Sequence, residues 1–333
     1  MSRRRRIAAV VALGILAPWT AECSWGGFAL RDYLPVVVFL GPLYGGAAIL
    51  VREVTRRAGL GWPSIALLGA AFGVHMAGLV DHSLFNPGYL DDTEYAGLIR
   101  DSTLTQVPGL GLSVGDAFNY VGNHIVLSIG LPIVLVESIV GAEACREPWL
   151  GRWGLGVVGV LFVLGSLLVH ADAAKGFTAE PHQLGAAVVI IVVLVAAALA
   201  LGRFVRDRHD ERRVPWAGWV ALVTAVAAAS ADLVPGWGGV AINAGVVLVA
   251  VVVIVRWSRR SGWSRRHVLA AFSGPLVLSA AVAYVVPNYA PASPTEAVLG
   301  DVAITVITIA LLATAFVRLR REARPEVNEY VTK

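Results

Sequence analysis

Seven ionisable or amide side chains stand inside, or at the ends of, otherwise apolar segments: Glu22, His75, Asp81, Asn119, Asn123, His124 and Asp301. Histidine and carboxylate groups suit proton transfer and metal binding. Their cost in apolar surroundings makes them pointers to function. Asp116, Asn119, Tyr120, Asn123 and His124 recur at helical spacing and fall on one helix face. At 1.5 Å per residue, His75 and His124 reach a similar depth, roughly 8–10 Å below one surface, and are expected to face each other across consecutive helices. Glu22, His170, Asp172, Asp232 and Asp301 fall near that level, and His82 stands with Asp81 at the end of the third apolar segment. These residues outline a polar pocket open to one side of a membrane. The competing reading is a set of interhelical hydrogen bonds, each contributing only about 0.6 kcal/mol. No catalytic residue, metal-ligand set or cofactor is assigned by these patterns.

A second group lies at the opposite level. Arg52 and Glu53 end one apolar segment and Glu137 ends another, which suits a structural ion pair stapling two helices. Familiar motifs fail. Gly154, Gly156 and Gly159 spell G-x-G-x-x-G, but within an apolar helical run, where they read as helix-packing glycines rather than a nucleotide loop. Gly41 with Gly45 and Gly69 with Gly73 are small-xxx-small pairs for close helix approach. There is no P-loop, H-E-x-x-H, C-x-x-C or Glu-Glu pair.

The elements that must hold these residues follow from composition. The 333 residues are 57% hydrophobic and only 15% charged, against about 25% charged in soluble domains. The apolar residues come in runs of about 20, the length that crosses a bilayer as a helix. The predicted fold is therefore all-α, a single transmembrane helical domain over 1–333 with about ten spans: 7–24, 34–51, 62–80, 117–138, 153–170, 185–202, 216–233, 239–256, 268–286 and 297–317. Placing the N-terminus in the cytoplasm puts 24 of the 27 basic residues inside and leaves Arg31, Arg100 and Lys175 outside, so both termini are expected to be cytoplasmic. The tail 318–333 is then cytoplasmic and the acidic loop 81–116 extracytoplasmic, with Asp91, Asp92 and Glu94 as oxygen ligands for a hard cation or simply as solvated charges. Arg3 to Arg6 before an apolar stretch has the outline of a signal peptide, yet no clean cleavage site follows. Cys23 and Cys145 fall on opposite sides, which disfavours a disulfide. The basic residues sit in short loops, so the net charge of +4 does not indicate nucleic-acid binding.

Three stretches carry a resemblance. APWTAEC holds Glu22. LYGGAAILVREVTRRAGLGWPSIALLGAAFGV holds Tyr44, Gly45, Arg52, Glu53 and Trp62. SLFNP, followed by NHIVLSIGLPIVLVES, holds His124, Ser128, Pro132 and Glu137. Over about residues 10–140 the chain resembles an uncharacterised family of polytopic prokaryotic membrane proteins, a resemblance that implies these positions belong together and brings no activity. In that family an acidic pair tends to follow the Gly-rich part of the third span, where this chain has His75 and Met76. The likeness to CAAX-type intramembrane glutamic proteases is remoter, because those require two adjacent glutamates that this chain lacks.

The leading functional expectation is an integral protein of the cell membrane that binds or transports a small solute, ion or lipid through an outward-facing polar pocket. One alternative is a membrane-embedded enzyme in which His75, His124 and Glu22 act as acid–base groups or metal ligands. The other is a non-catalytic accessory or assembly protein that uses the 81–116 loop as its contact surface. The lipid bilayer is the one partner implied; protein partners are not indicated.

Overall fold

The computed structural model describes residues 1–96, 102–173, 176–201, 210–231 and 233–323. Arg100, Lys175, Arg203, Arg206, Arg208, Asp232, Arg324 and Lys333, with the tail beyond 323, lie outside the described residues.

Among the described residues, eight helices are long and apolar enough to cross a membrane: α1 (Arg3–Cys23), α2 (Leu30–Arg57), α3 (Trp62–Val80), α4 (Val114–Val140), α5 (Arg152–Ala173), α6 (Pro181–Leu201), α8 (Gly236–Ser258) and α10 (Pro294–Glu322). Two more helices occupy the remaining predicted spans. Helix α7 (Ala217–Ala229) is apolar but short, and α9 (Arg265–Val282) opens on Arg265, Arg266 and His267. These two pack together closely enough that a Cβ on Gly274 would meet the Ala221 carbonyl at 2.0 Å.

The interior is built from the first four helices together with α9 and one face of α10. The apolar stretches of α3 and α4 are 61% and 67% buried, against 17% for α5 and 11% for α6. Helix α5 instead presents Val157, Val160, Leu164 and Leu167 outward, as a helix bathed in lipid does. The glycine pairs divide along the same line. A Cβ on Gly45 would lie 2.6 Å from the Gly14 carbonyl, on Gly73 2.9 Å from Val121 Cα, and on Gly165 2.6 Å from the Leu43 amide nitrogen. Gly41, Gly156 and Gly159 face open space. The packing role expected for those three is therefore corrected: their helix faces turn outward, so no neighbouring backbone approaches.

Each of the first four helices contains a π-helical turn: Trp19–Cys23, Gly41–Gly45, Met76–Val80 and His124–Gly130. A proline stands in or beside three of them, at Pro18, Pro42 and Pro132. Proline supplies no backbone donor and crowds the carbonyl four residues back, which favours a local widening. Neighbouring groups collect the freed acceptors. The Thr20 hydroxyl donates to the Leu127 carbonyl at 2.6 Å and so joins two of these turns directly.

Contacts sort the chain ends and loops between two ends of the bundle. At one end, Arg6 and the Met1 amine meet Glu147, Arg57 donates to the Leu150 carbonyl, and Arg265 donates to the Glu137 carbonyl and pairs with Glu322 at 2.7 Å. A short parallel ladder, Asp210–Arg213 with Arg260–Ser261, ties the α6–α7 and α8–α9 loops to each other. At the other end, Arg31 pairs with Glu296 at 2.7 Å. There the Tyr289 N–H donates to the Gly27 carbonyl at 2.7 Å and the Glu94 N–H to the Tyr289 carbonyl at 3.1 Å. The loop between α3 and α4 is folded onto this end: Leu84 and Phe85 are buried with Ala77 and Ala179. Cys23 and Cys145 are both buried and free.

Candidate functional site

The π-helical turns gather around one carboxylate. Glu22, on the turn of α1, accepts a hydrogen bond from the Tyr44 hydroxyl, on the turn of α2, at 2.5 Å. Tyr44 is 1% exposed while Glu22 is only half-buried. Its ring lies 5.7 Å from the imidazole of His124, on the turn of α4. The fourth turn, in α3, delivers Asp81 as the residue that ends it. Asp81 is buried, accepts from the Ser83 N–H at 2.9 Å and from the Tyr89 hydroxyl at 3.3 Å, and lies within electrostatic reach of Glu22. A π-helical turn rotates the side chains beyond it by a fraction of a turn, and such turns recur at functional sites. Four of them bring here onto one spot residues distant in sequence.

Tyrosines complete the surroundings. Tyr89 and Tyr289 lie within electrostatic reach of both Glu22 and Asp81, and of Tyr120; the Tyr89 and Tyr120 rings are 6.2 Å apart. Burial, reinforced by the neighbouring carboxylates, holds the Tyr89 and Tyr289 hydroxyls well above their usual range, so they stay neutral donors. Burial also pushes the Asp81 carboxyl up to about 6, against the donations from Ser83 and Tyr89 that favour its charged form. Above this cluster, Trp25, Phe28, Tyr95 and Tyr289 make an aromatic group with ring centroids 5.2–6.0 Å apart. Neither carboxylate is paired with an arginine or lysine among the described residues, whereas every residue known to act on Glu22 is a tyrosine or an acid.

Several sequence expectations change on this frame. His75 and His124 do not face each other: the Phe72 ring stands between them, 6.4 Å from His75 and 5.4 Å from His124. His75 turns instead to the Ser166 hydroxyl of α5 at 3.1 Å, and His124 bonds the Ser128 hydroxyl of its own helix at 2.8 Å. Gly69 and Gly73 press α3 onto the backbone of α4 at Ile125 and Val121, and that contact, not depth, sets where each ring points. The polar face of α4 also splits. His124 and Tyr120 turn toward the cluster, while Asn119 and Asn123 bond each other at 2.9 Å, with Asn123 exposed. Asp301 is buried but sits beside Tyr33, whose hydroxyl donates to the Gly300 carbonyl. His170 bonds the Val80 carbonyl at 2.8 Å and lies against His82, 5.2 Å between rings. Burial, with His170 adding to it, lowers the His82 imidazole and keeps it neutral. Asp91, Asp92 and Glu94 are exposed. Among the described residues, no three His, Cys, Asp or Glu side chains converge as metal ligands.

The opposite end holds a buried ion network. Arg52 and Glu53 are fully buried and 2.7 Å apart. Glu137 accepts from Arg52 at 3.2 Å and takes a two-pronged grip from Arg56 at 2.8 and 2.7 Å. Glu53 also accepts the Trp149 N–H at 2.7 Å and the Leu150 N–H at 3.2 Å, and Arg52 lies 3.5 Å over the Trp149 ring. Arg52 further donates to the Cys145 carbonyl at 2.9 Å. Every charged atom there has a partner, which is the condition under which buried charges persist.

A family model for an uncharacterised membrane protein family matches residues 11–331. The chain belongs to that family. The match runs from within α1 through α10, so the resemblance read over about residues 10–140 extends to nearly the whole chain. No curated protein and no solved structure matches it. Membership brings a membrane location for the family fold and no activity, and the chemistry has to come from the residues themselves.

Sequence reasoning missed the partners more than the acids. Tyr44 carried a signal, since a tyrosine in mid-span needs a partner for its hydroxyl. Tyr89 and Tyr289 carried none, because both lie in loops whose path only the folded bundle sets. Arg56, Arg57 and Trp149 in the ion network were likewise indistinguishable from ordinary interfacial residues.

Proposed function

We propose that this protein binds and transports a small organic cation through a pocket open to the outside of the cell, with Glu22 and Asp81 supplying the negative charge. The observation that carries this reading is the pairing of two carboxylates with tyrosines and, among the described residues, with no basic counter-charge. A carboxylate in apolar surroundings without a cation is expensive, and a cationic solute offsets that cost. The aromatic group of Trp25, Phe28, Tyr95 and Tyr289 suits organic rather than inorganic cations, since a ring face attracts an ammonium by about 0.5–2 kcal/mol. His124, bonded to Ser128, lies beside Tyr44, 5.7 Å between rings.

The reading includes ten crossings with both termini in the cytoplasm of a cell-membrane protein. The contacts joining Met1, Glu147, Arg265 and Glu322 at one end of the bundle support an even number. Alkaline phosphatase fused after Glu211 is then inactive and after Gly88 active; the reverse pattern overturns the topology.

Binding of tetramethylammonium to the detergent-purified protein tests the pocket, read by quenching of tryptophan fluorescence. Saturable binding that falls at least tenfold in Glu22→Gln and in Asp81→Asn supports it. No saturable binding, or binding indifferent to both substitutions, overturns it. Uptake of radiolabelled tetramethylammonium into proteoliposomes, abolished by Glu22→Gln, separates transport from binding alone.

A further inference from the structure

A groove of about 350 Å³ opens between the inner ends of α4 and α10, away from the Glu22 pocket; its cytoplasmic level rests on the topology proposed above. It is lined by Ile139 of α4 and by Ala313, Thr314, Val317, Arg318 and Arg321 of α10. Residues 313, 317 and 321 are one stripe of the helix and 314 and 318 the adjacent stripe. The groove is thus mostly apolar over its first turn, 313–317, with Thr314 adding a hydroxyl, and then ends on two guanidinium groups, about 12 Å along the helix axis from Ala313 to Arg321 at 1.5 Å per residue.

The two arginines differ from their neighbours. Arg265 pairs with Glu322 and donates to the Glu137 carbonyl. Arg52, Arg56 and Arg57 are all committed to Glu53 or Glu137. Arg318 and Arg321 have no carboxylate partner among the described residues, although Glu322 is next in sequence. An open, mostly apolar groove that ends on two guanidiniums without a carboxylate partner among the described residues is complementary to an anionic amphiphile. We propose that this groove is a binding site for one anionic phospholipid, its chain along Ala313, Thr314 and Val317 and its headgroup phosphate between Arg318 and Arg321. Guanidinium groups grip phosphate in a two-pronged fashion, and basic pockets between helices at the cytoplasmic level are where anionic headgroups bind. Arginines that merely snorkel to the interface attract anionic lipid diffusely and do not hold a particular molecule.

Native mass spectrometry of the full chain, titrated with equal amounts of dioleoylphosphatidylglycerol and dioleoylphosphatidylcholine, tests the site. The wild type is expected to retain one phosphatidylglycerol with at least tenfold preference. Arg318→Gln with Arg321→Gln should bring the two lipids to parity. Ala313→Trp, which fills the apolar half from an exposed position, should expel the lipid with both arginines present. Arg3→Gln with Arg4→Gln, at the same end of the bundle but away from the groove, should leave the preference intact. Equal retention of the two lipids by the wild type overturns the proposal. So does an equal loss of preference in the Arg3/Arg4 variant, which would mark a diffuse charge effect. Continued tight retention in Ala313→Trp would place the lipid elsewhere and overturn it too.

Discussion

The Tyr44 hydroxyl donates to the Glu22 carboxylate across 2.5 Å, and each residue sits on a π-helical turn of its own helix. A phenol that is 1% exposed has no water to fall back on, and Glu22 has no other hydrogen-bond donor among the described residues. Tyr44→Phe keeps the ring packed against Phe72 and His124 and removes only this bond. Half-buried Glu22 keeps access to water, so losing this bond costs the net value of a hydrogen bond, about 0.5–1.5 kcal/mol. The expected outcome is a lower thermal midpoint in detergent together with weaker tetramethylammonium binding. An unchanged midpoint would mean that the bond contributes nothing.

Asp81 sets a pH dependence. Its carboxyl is raised from 3.8 to about 6, chiefly by burial. The folded state therefore favours the protonated acid, and the stabilisation it contributes is fully present below pH 3.8 and is lost as pH rises through about 6. Cation binding runs the other way, because only the ionised group attracts the ligand: it should strengthen as pH rises through the same interval. Asp81→Asn should flatten both curves. Thermal midpoints and tetramethylammonium titrations between pH 4 and 8 check the pair of trends, and a variant that keeps the wild-type slopes would assign them to another group.

The buried ion network should be intolerant of partial removal. Glu137 is the acceptor for both Arg52 and Arg56, so Glu137→Gln leaves two guanidiniums short of their counter-charge in a dry site. Breaking a buried pair by removing one partner costs about 3–5 kcal/mol. Glu147→Gln, whose contacts with Arg6 and the Met1 amine are part-exposed, should change stability by about 1 kcal/mol or less. Unfolding midpoints of the two variants should differ widely; equal effects would contradict a central role for Glu137.

Two glycine substitutions read the packing directly. Gly45→Ala puts a methyl 2.6 Å from the Gly14 carbonyl, so α1 and α2 must separate and stability should fall by about 1–3 kcal/mol. Gly156→Ala meets open space and gains helix propensity of up to about 1 kcal/mol. The same chemical change should therefore have opposite signs at the two positions, as read by thermal unfolding in one detergent.

The sequence by itself determined the class of protein, the approximate limits of the helices and the separation of acidic from basic levels. These depend on hydrocarbon length, backbone hydrogen bonding and loop charge, all of which are properties of single segments. Glu22, Asp81 and His124 were legible as candidates because polar groups in apolar runs stand out one at a time. What the tertiary structure decided is azimuth and company. Depth along a helix follows from counting residues, but the direction a side chain points depends on where neighbouring backbones touch. Gly69 and Gly73 draw α3 onto α4, and Phe72 then separates the two histidines that equal depth had suggested would meet. The π-helical turns shift the angular register in all four inner helices, so a face drawn at 3.6 residues per turn loses its phase beyond them, and the polar face of α4 divides between the cluster and the Asn119–Asn123 pair. Tyr89 and Tyr289 join from loops for which no periodicity exists to be read. Asp301 illustrates the converse: it shares a level with Glu22 and belongs to another contact, beside Tyr33, because a helix bundle has a circumference as well as a depth.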